Sequence, residues 1–596
     1  MLALNSFDHV WIIDFEYISK DGNRPEVVCM VAKDTVTGKE IRLWRDQLRR
    51  LKKAPFGTGT KSLIISFYAP AEMSVFYALG WPPPLRIIDL FAEFRVKTNG
   101  HMDLFGNKMR NSLLAAMKYF GLAGISAQEK TDMRDLILRG GPWSAEEKKK
   151  ILDYCVSDVV SLMRLWGHFQ EEVSETETRL KQALFRGQYG IADAFMEHNG
   201  VPIDINKSNL LQHHWESILR GLITEVDREY GFFENGKLKI EKVSSWLAAK
   251  KIPWPQTPTG QPSLDKNTLQ DMKKSFPEIA LFAEFRTTVN AMKLNGLSIG
   301  KDGRNRTMLS PYGSKTGRNL PSTSKFIFGP GTWIRGLIKP PKGYSIAYLD
   351  WKSQEIFIAA ILSGDTKLLD AYNTGDVYLA FAKLCGTVPE GGTKETHEAE
   401  RDQCKQVVLG LQYGRQAKST ARLLGISKFV TQTLIDQYWE QFSTLAAWVQ
   451  RQSNIGMMGE SINTMMGWRY HDQGKDPNPR TFMNFPMQAT GANMLQVAAC
   501  MARESGLKIV CPVHDALMLE APTPLIENHV AKLRMIMETA SAAATNSGGP
   551  VCEVDIKITR YPRRYMDEKR GRSMWNITSK LLGEAINEDR KRRLSN

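Results

Sequence analysis

Two strand-like stretches, each ending in a carboxylate, lie far apart along the chain: Ser345-Ile346-Ala347-Tyr348-Leu349-Asp350 and Ile509-Val510-Cys511-Pro512-Val513-His514-Asp515. Asp350 and Asp515 are 165 positions apart (515 minus 350), with a helical reading between them. A chain that leaves a β-rich region and re-enters it inserts its helices into a small sheet. Ala516-Leu517-Met518-Leu519 leads away from Asp515 as a returning strand, so Asp515 falls in a hairpin turn. A carboxylate at a strand end and another in such a turn can meet across the sheet. Taken singly, either aspartate is as well explained as a turn former or a helix cap.

At 596 residues the chain is too long for one hydrophobic core, so several domains are expected. Residues 1–180 alternate apolar strands (Val10–Ile13, Leu63–Ser66, Arg86–Ile88) with helical stretches, an α/β pattern. Residues 181–300 read as mostly helical, broken by the loop Pro253–Gly260. Short strands and turns occupy 301–375, helices 376–485, and strands return in 486–596. The closing mixed-charge stretch, Arg560–Asn596, reads as a solvated tail or helix. Hydrophobic residues at 42% and charged residues at 24% exclude wholesale disorder. A formal charge of +15 suits a polyanionic partner without proving one. Seven scattered cysteines with no Cys-x-x-Cys pair are expected as free thiols in a reducing compartment. Met1–Asp14 lacks the pattern of a signal peptide, and the longest apolar run, Ile356–Leu362, is too short to cross a bilayer. The expectation is a soluble, cytoplasmic protein with no membrane partner.

Near the N-terminus, Val10-Trp11-Ile12-Ile13 runs into Asp14-Phe15-Glu16. Strand alternation sends Asp14 and Glu16 to one face. Two carboxylates so close repel each other unless cations neutralise them, and hard divalent ions with oxygen ligands do so. Downstream, Tyr154 and Asp158 stand four apart in a helical run and share a face. That pairs a hydroxyl able to orient water with a carboxylate able to bind metal. Each pattern alone is common. In this order and separation they resemble the 3′→5′ exonuclease domain of the ribonuclease-H-like superfamily. The resemblance implies metal ligands at Asp14, Glu16 and Asp158, with Tyr154 beside the attacking water. The middle motif usually supplies another Asp; Glu72 is the best-placed candidate here and Asp89 the alternative.

Between Asp350 and Asp515, residues 401–414 place Arg401, Lys405, Leu409 and Tyr413 at four-residue steps along a helix. The stripe is about 18 Å long, enough to lie along a nucleoside triphosphate. Its cations occupy the N-terminal half, where the helix dipole also favours phosphate. Arg and Lys four apart more often mark a solvated face, so the neighbours decide. Thr316-Gly317-Arg318, Asp350 to Glu355, Arg401 to Gly414, Arg480 to Gln488 and Val513-His514-Asp515 follow one another in an order and spacing that resemble family A DNA polymerases. With the N-terminal motifs, this resemblance covers nearly the whole chain.

What the resemblance implies is an α+β multidomain chain: a ribonuclease-H-like α/β exonuclease followed by a right-hand polymerase of palm, fingers and thumb. The exonuclease would span 1–180, the thumb and connecting helices 181–300, the first part of the palm 301–375, the fingers 376–485, and the second part of the palm with the tail 486–596. Asp350 and Asp515 would bind Mg2+, two ions per active site, with Mn2+ able to substitute. Arg401 and Lys405 would grip the incoming phosphates, with Lys405 a general acid toward pyrophosphate. Glu355, with Tyr413 near it, would exclude a ribose 2′ hydroxyl. Tyr378 stands where the bacterial enzyme has a phosphate-contacting His. Arg318, Asn484, Gln488 and His514 would touch DNA near the primer terminus, and Arg480 the template side. Primer–template DNA and dNTPs are the implied partners. Helicase–primase, a single-strand binding protein and a processivity factor are candidate accessories in DNA replication. Compactness and motif style suggest a phage origin, hence a host cytoplasm.

The chain departs from the family's pattern at Leu409, where Phe or Tyr is usual, at Ala516, usually acidic, and at Trp351 and Lys352, usually Tyr and Ser. Competing readings are a repair or translesion polymerase with a weak or inactive exonuclease, and a catalytically silent primer–template binding protein. The silent reading requires loss of Asp350 or Asp515, and both are present. A single-subunit RNA polymerase is disfavoured by Glu355 and the fused nuclease.

Overall fold

The computed structural model describes residues 3–103, 105–124, 126–291, 296–412, 415–474 and 476–595. Its N-terminal part is built on β1 (His9–Ile18), β2 (Glu26–Asp34), β3 (Glu40–Trp44), β4 (Ser62–Ser66) and β5 (Ile87–Asp89), in the spatial order β3-β2-β1-β4-β5. The first three strands form an antiparallel meander, and β4 and β5 add on in parallel to β1. The parallel edge requires crossovers. One is α1 (Ala69–Leu79), lying between β4 and β5. After β5 come α2 (Leu90–Thr98), α3 (Ala127–Arg139) and the long α4 (Ala145–Ser174). A capping box at Ser144 and Glu147 starts α4, and Ile151, Cys155, Val159, Leu162 and Leu165 form its buried stripe.

The following helix, α5 (Glu177–Asn199), joins the two halves of the molecule. Leu180, Ala183 and Leu184 belong to the core over one face of the N-terminal sheet, Ile191 and Ala194 to the core over its other face. Tyr189, Ala192 and Met196 belong to the large core of the remainder. Such close packing needs small residues. A Cβ at Gly187 would lie 2.1 Å from the Ile87 carbonyl oxygen, and one at Gly190 2.9 Å from Ala69 Cβ. Residue 180 therefore lies inside a helix that is continuous with the N-terminal unit.

Helices follow, including α6 (Ile205–His213) and α7 (Trp215–Tyr230). The second sheet is then built from β6 (Tyr344–Trp351), β7 (Ile509–Val513), β8 (Ala516–Pro522) and β9 (Val554–Arg560), in the order β7-β8-β6-β9, all antiparallel. Between β6 and β7 the chain runs through α8 (Gln354–Ser363), α9 (Val377–Leu384), α10 (Glu398–Gln412) and α11 (Pro479–Glu504), among other helices. Helices inserted between the strands of one small sheet are what the sequence led us to expect. One difference is α8, which begins three residues after β6 inside a region read as strands and turns. Its buried Ile356, Phe357, Ile358, Ala359 and Ala360 give no polar face from which a helical period could be read.

A second difference concerns the end of the chain. Residues from Arg572 to Ser595 form a helix, α13, which follows α12 (Ile526–Thr545) and β9. Met574, Trp575, Thr578, Leu581, Leu582 and Ala585 of α13 are buried, and Leu581 packs against Gly221 of α7. Of the stretch read as a solvated tail or helix, residues 572–595 are thus a helix, but a packed rather than a solvated one, because a stripe of apolar residues hides within its charged sequence. Among the described residues no helix is long and apolar enough to cross a membrane, and all seven cysteines are free.

Candidate catalytic centres

β6 is a central strand, flanked by β8 and β9, and it carries Asp350 opposite Ala516 on one side and Asp555 on the other. His514 and Asp515 form the tight turn between β7 and β8. The Trp351 amide donates to the Asp515 carbonyl at 3.4 Å, which holds that turn against the end of β6. The two aspartates, remote in sequence, are thereby neighbours. Asp350 is pushed up to about 7, first by burial and then by the charges of Asp515 and Asp555. Arg318 Nη2 donates to Asp515 Oδ1 at 3.1 Å and lies 3.4 Å from Glu355 Oε1. Burial raises Glu355, and Arg318 opposes that rise.

Arg401 donates to Asp376 Oδ2 at 2.8 Å and to Asp402 at 2.7 Å. Its guanidinium lies 5.4 Å, and the Lys405 ammonium 5.5 Å, from the centre of the Tyr378 ring. Both fall in the range of cation–π attraction, so Tyr378 gathers the two cations onto one side of α10. Burial, then the charge of Arg401, lowers the pKa of Lys405. Tyr378 also bonds Ser353 and feels Glu355, which ties this cationic face to the Asp350 turn. Leu409 is partly buried against the large core. Tyr413 lies outside the described residues. On α11, Arg480 is exposed in the first turn, while Asn484 and Gln488, one turn apart, are half-buried. His514 is lowered by burial, against the pull of Asp515.

A second acidic cluster forms in the N-terminal unit. β1 sends Asp14 and Glu16 to one face, and α4 brings Asp158 to them; one carboxylate oxygen from each lies within 4.8 Å of the others. Asp14 is pushed up to about 7 by burial and by Asp158, and Glu16 is raised by burial and by Asp14. Tyr154 donates to Asp158. Glu72, in the first turn of α1, is buried; its charge repels those of Asp14 and Glu16, while the Phe15 amide donates to it. Among the described residues, Glu72 Oε2 and Asp158 Oδ1 are buried without a hydrogen-bond partner, as is Asp89 Oδ2. Asp89 is held by its other oxygen: Oδ1 accepts from the amides of Tyr68 at 2.7 Å and Phe91 at 3.0 Å, capping α2. An oxygen-only, mutually repelling donor set with orphaned buried oxygens fits hard divalent cations.

Two residues near this cluster were not singled out from sequence. Cys155 Sγ donates to Asp14 Oδ2 at 3.1 Å. Lys130 of α3 opposes the raised pKa of Asp14, Glu16 and Asp158 alike. No local pattern marks either, since both reach β1 only through tertiary packing. Leu320 and Ser322 line both the cleft that holds Tyr17, Tyr68 and Arg134 and the cavity that holds Arg318 and His514, so the two clefts share a wall.

Known proteins resemble the chain over most of its length. "DNA polymerase I" of Chloroflexus aurantiacus is 24% identical over 457 residues, covering 69% of this chain and 47% of the relative. "DNA polymerase I" of Pseudomonas aeruginosa is 23% identical over 575 residues, covering 89% and 60%. The chain thus spans about half the length of these relatives. The solved "POL domain of Pol1 from M. smegmatis complex with DNA primer-template and dNTP" has a TM-score of 0.65 at 19% identity, covering 92% of this chain and 95% of that one, a likeness of fold. The profile of DNA polymerase family A matches residues 237–559, more than half of the chain. By that match, the chain belongs to DNA polymerase family A.

Proposed function

We propose that this protein extends a primer 3′ end with deoxynucleotides on a DNA template, and removes mispaired 3′ nucleotides at a separate N-terminal centre. The observation that carries the reading is the convergence of Asp350 and Asp515 beside a cationic helix face, with Arg318 and Glu355 between them. Divalent ions, Mg2+ in the first place and two per centre, would be held by Asp350 and Asp515 and by Asp14, Glu16, Asp158 and Glu72. When bound they supply charge neutralisation and nucleophile activation for phosphoryl transfer.

The chain's own groups do the rest. Arg401 and Lys405 hold the triphosphate, and the lowered pKa of Lys405 makes its proton easier to give to departing pyrophosphate. Glu355 stands where a 2′ hydroxyl would enter, kept in place by Arg318. Arg318, Asn484, Gln488 and His514 contact the primer–template pair where minor-groove acceptors tolerate any sequence. Arg480 supports the template strand. In the N-terminal centre Tyr154 orients water toward the phosphate, and Cys155 fixes the Asp14 carboxylate.

A proofreading nuclease fused to synthesis suits DNA replication. The departure at Glu72 favours one rival, a repair polymerase with a weak nuclease. Primer extension and degradation, measured on matched and mismatched 3′ ends with Asp350→Ala and Asp14→Ala, test both readings. Asp350→Ala is expected to abolish synthesis and spare degradation, and Asp14→Ala to do the reverse. One variant silencing both activities would overturn the two-centre assignment, and wild-type protein that leaves mismatched ends intact would favour repair.

A further inference from the structure

The last helix of the chain meets the α6–α7 junction at a cluster that neither catalytic centre uses. α6 ends at His213, α7 begins at Trp215, and His214 alone forms the bend between them. The two imidazoles stand edge to face, with ring centres 4.7 Å apart. Asp589, near the end of α13, brings its Oδ2 to 3.6 Å from His214 Nδ1. One nitrogen from each histidine and one oxygen of Asp589 all lie within 4.8 Å of one another. His214 is 9% exposed, whereas Asp589 is 42% exposed, so the cluster is anchored on a buried ring and open on its outer side.

We propose that His213, His214 and Asp589 form a binding site for a borderline transition-metal ion, Zn2+ foremost. Two imidazoles and a carboxylate make up the three-ligand set with which zinc retains an open position for water. Imidazole suits Zn2+, Co2+ and Ni2+, whereas Mg2+ requires oxygen ligands and near-octahedral geometry. The site is therefore chemically distinct from the all-carboxylate catalytic centres. The His214–Asp589 ion pair accounts for the 3.6 Å contact and the edge-to-face packing for the ring of His213; what the site adds is one ligand atom from each of the three residues within 4.8 Å of the others. A metal there joins residues 213–214 to residue 589 and pins α13 onto α7, where Leu581 already packs on Gly221. An ion that binds the folded chain alone raises its stability with concentration.

The test is Zn2+ stoichiometry by equilibrium dialysis of the full chain in excess Mg2+, comparing wild type with Asp589→Asn and His213→Ala. His213 is exposed and asparagine is isosteric with aspartate, and unchanged far-UV circular dichroism without zinc will verify that both variants are folded. The wild type is expected to bind one Zn2+ more than either variant. It should also show Zn2+-dependent stabilisation against heat and visible Co2+ bands that the variants lack. Other zinc held by thiols or catalytic carboxylates cancels in the difference. Equal stoichiometry and equal thermal response in wild type and variants would overturn the site, whatever the outcome for the polymerase reading.

Discussion

Replacing Asp350 by asparagine should make the metal-free protein more stable while removing its ability to synthesise DNA. Without cations, burial and the charges of Asp515 and Asp555 raise Asp350 from 3.8 to about 7. A carboxyl raised in this way binds its proton more tightly in the folded state, so ionising it opposes folding. The penalty is absent below about pH 4, grows up to about pH 7, and is constant above that. At about 1.4 kcal/mol per pH unit the whole interval is worth about 4 kcal/mol. Water reaching the cleft screens part of this, which leaves an expected gain of about 2–4 kcal/mol for Asp350→Asn at alkaline pH. A chain of several domains does not unfold in one step, so the assay is hydrogen exchange of the β6 and β8 amides in urea with chelator present. Protection should rise in the variant at pH 8, and the gain should shrink as the pH falls toward 4. Saturating Mg2+ should stabilise the wild type more than the variant. A variant no more stable than wild type at pH 8 without metal would refute the claim that like charges are confined at this site.

Further outcomes follow from named contacts. Glu72→Gln should cut 3′→5′ degradation by roughly 100-fold while leaving extension intact, whereas Asp89→Ala should cost about 1–3 kcal/mol of stability by orphaning the Tyr68 and Phe91 amides; gel assays and thermal melts separate the two. Lys130→Ala should move the pH profile of degradation upward, because Asp14, Glu16 and Asp158 lose a cation that favours their ionised forms; an unmoved profile removes Lys130 from the centre. Arg186→Met should destabilise by about 3–5 kcal/mol by leaving Glu93 buried and unpaired. Adding Glu93→Leu should recover much of that loss in a thermal melt, and no recovery would deny the pair.

The parts of both centres that could be read from the sequence are those in which local periodicity aims a side chain. Alternation along β1 put Asp14 and Glu16 together, and the four-residue step put Tyr154 beside Asp158 and Arg401 beside Lys405. The return of β-rich sequence near residue 509 was enough to expect helices inserted into one sheet. What could not be read depends on long-range packing. Lys130 reaches the carboxylates only because α3 folds back onto β1, and Arg318 finds Asp515 and Glu355 from a segment with no regular structure. Glu72 is the better-placed candidate from sequence, but what separates it from Asp89 is tertiary: Glu72 feels the charges of Asp14 and Glu16, whereas Asp89 Oδ1 accepts from the Tyr68 and Phe91 amides. That the C-terminal helix is packed rather than solvated was not legible, because its buried residues are spaced among charges that dominate its composition.

The centres also share a feature of backbone geometry. Tyr68, Ser353 and His514 adopt left-handed conformations, with φ of 70°, 47° and 53°. A non-glycine residue there costs on the order of 1–2 kcal/mol. Tyr68 starts the helix that carries Glu72, Ser353 starts the helix that carries Glu355, and His514 precedes Asp515. Each turn redirects the chain sharply, from strand to helix at Tyr68 and Ser353 and from strand to strand at His514. Among the described residues, three of the eight non-glycine positions with positive φ thus lie at turns next to carboxylates of the two centres. β6 is paired on both edges, and α5 closes onto β5 and α1 through Gly187 and Gly190. Because α5 contributes side chains to all three cores, loosening it would release the turns that hold Glu72 and the Arg318 segment together: the Tyr189 hydroxyl donates to Asn319, adjacent to Arg318, at 2.6 Å. Synthesis and degradation are thus expected to fail together for lesions in α5, and separately for lesions in either carboxylate cluster.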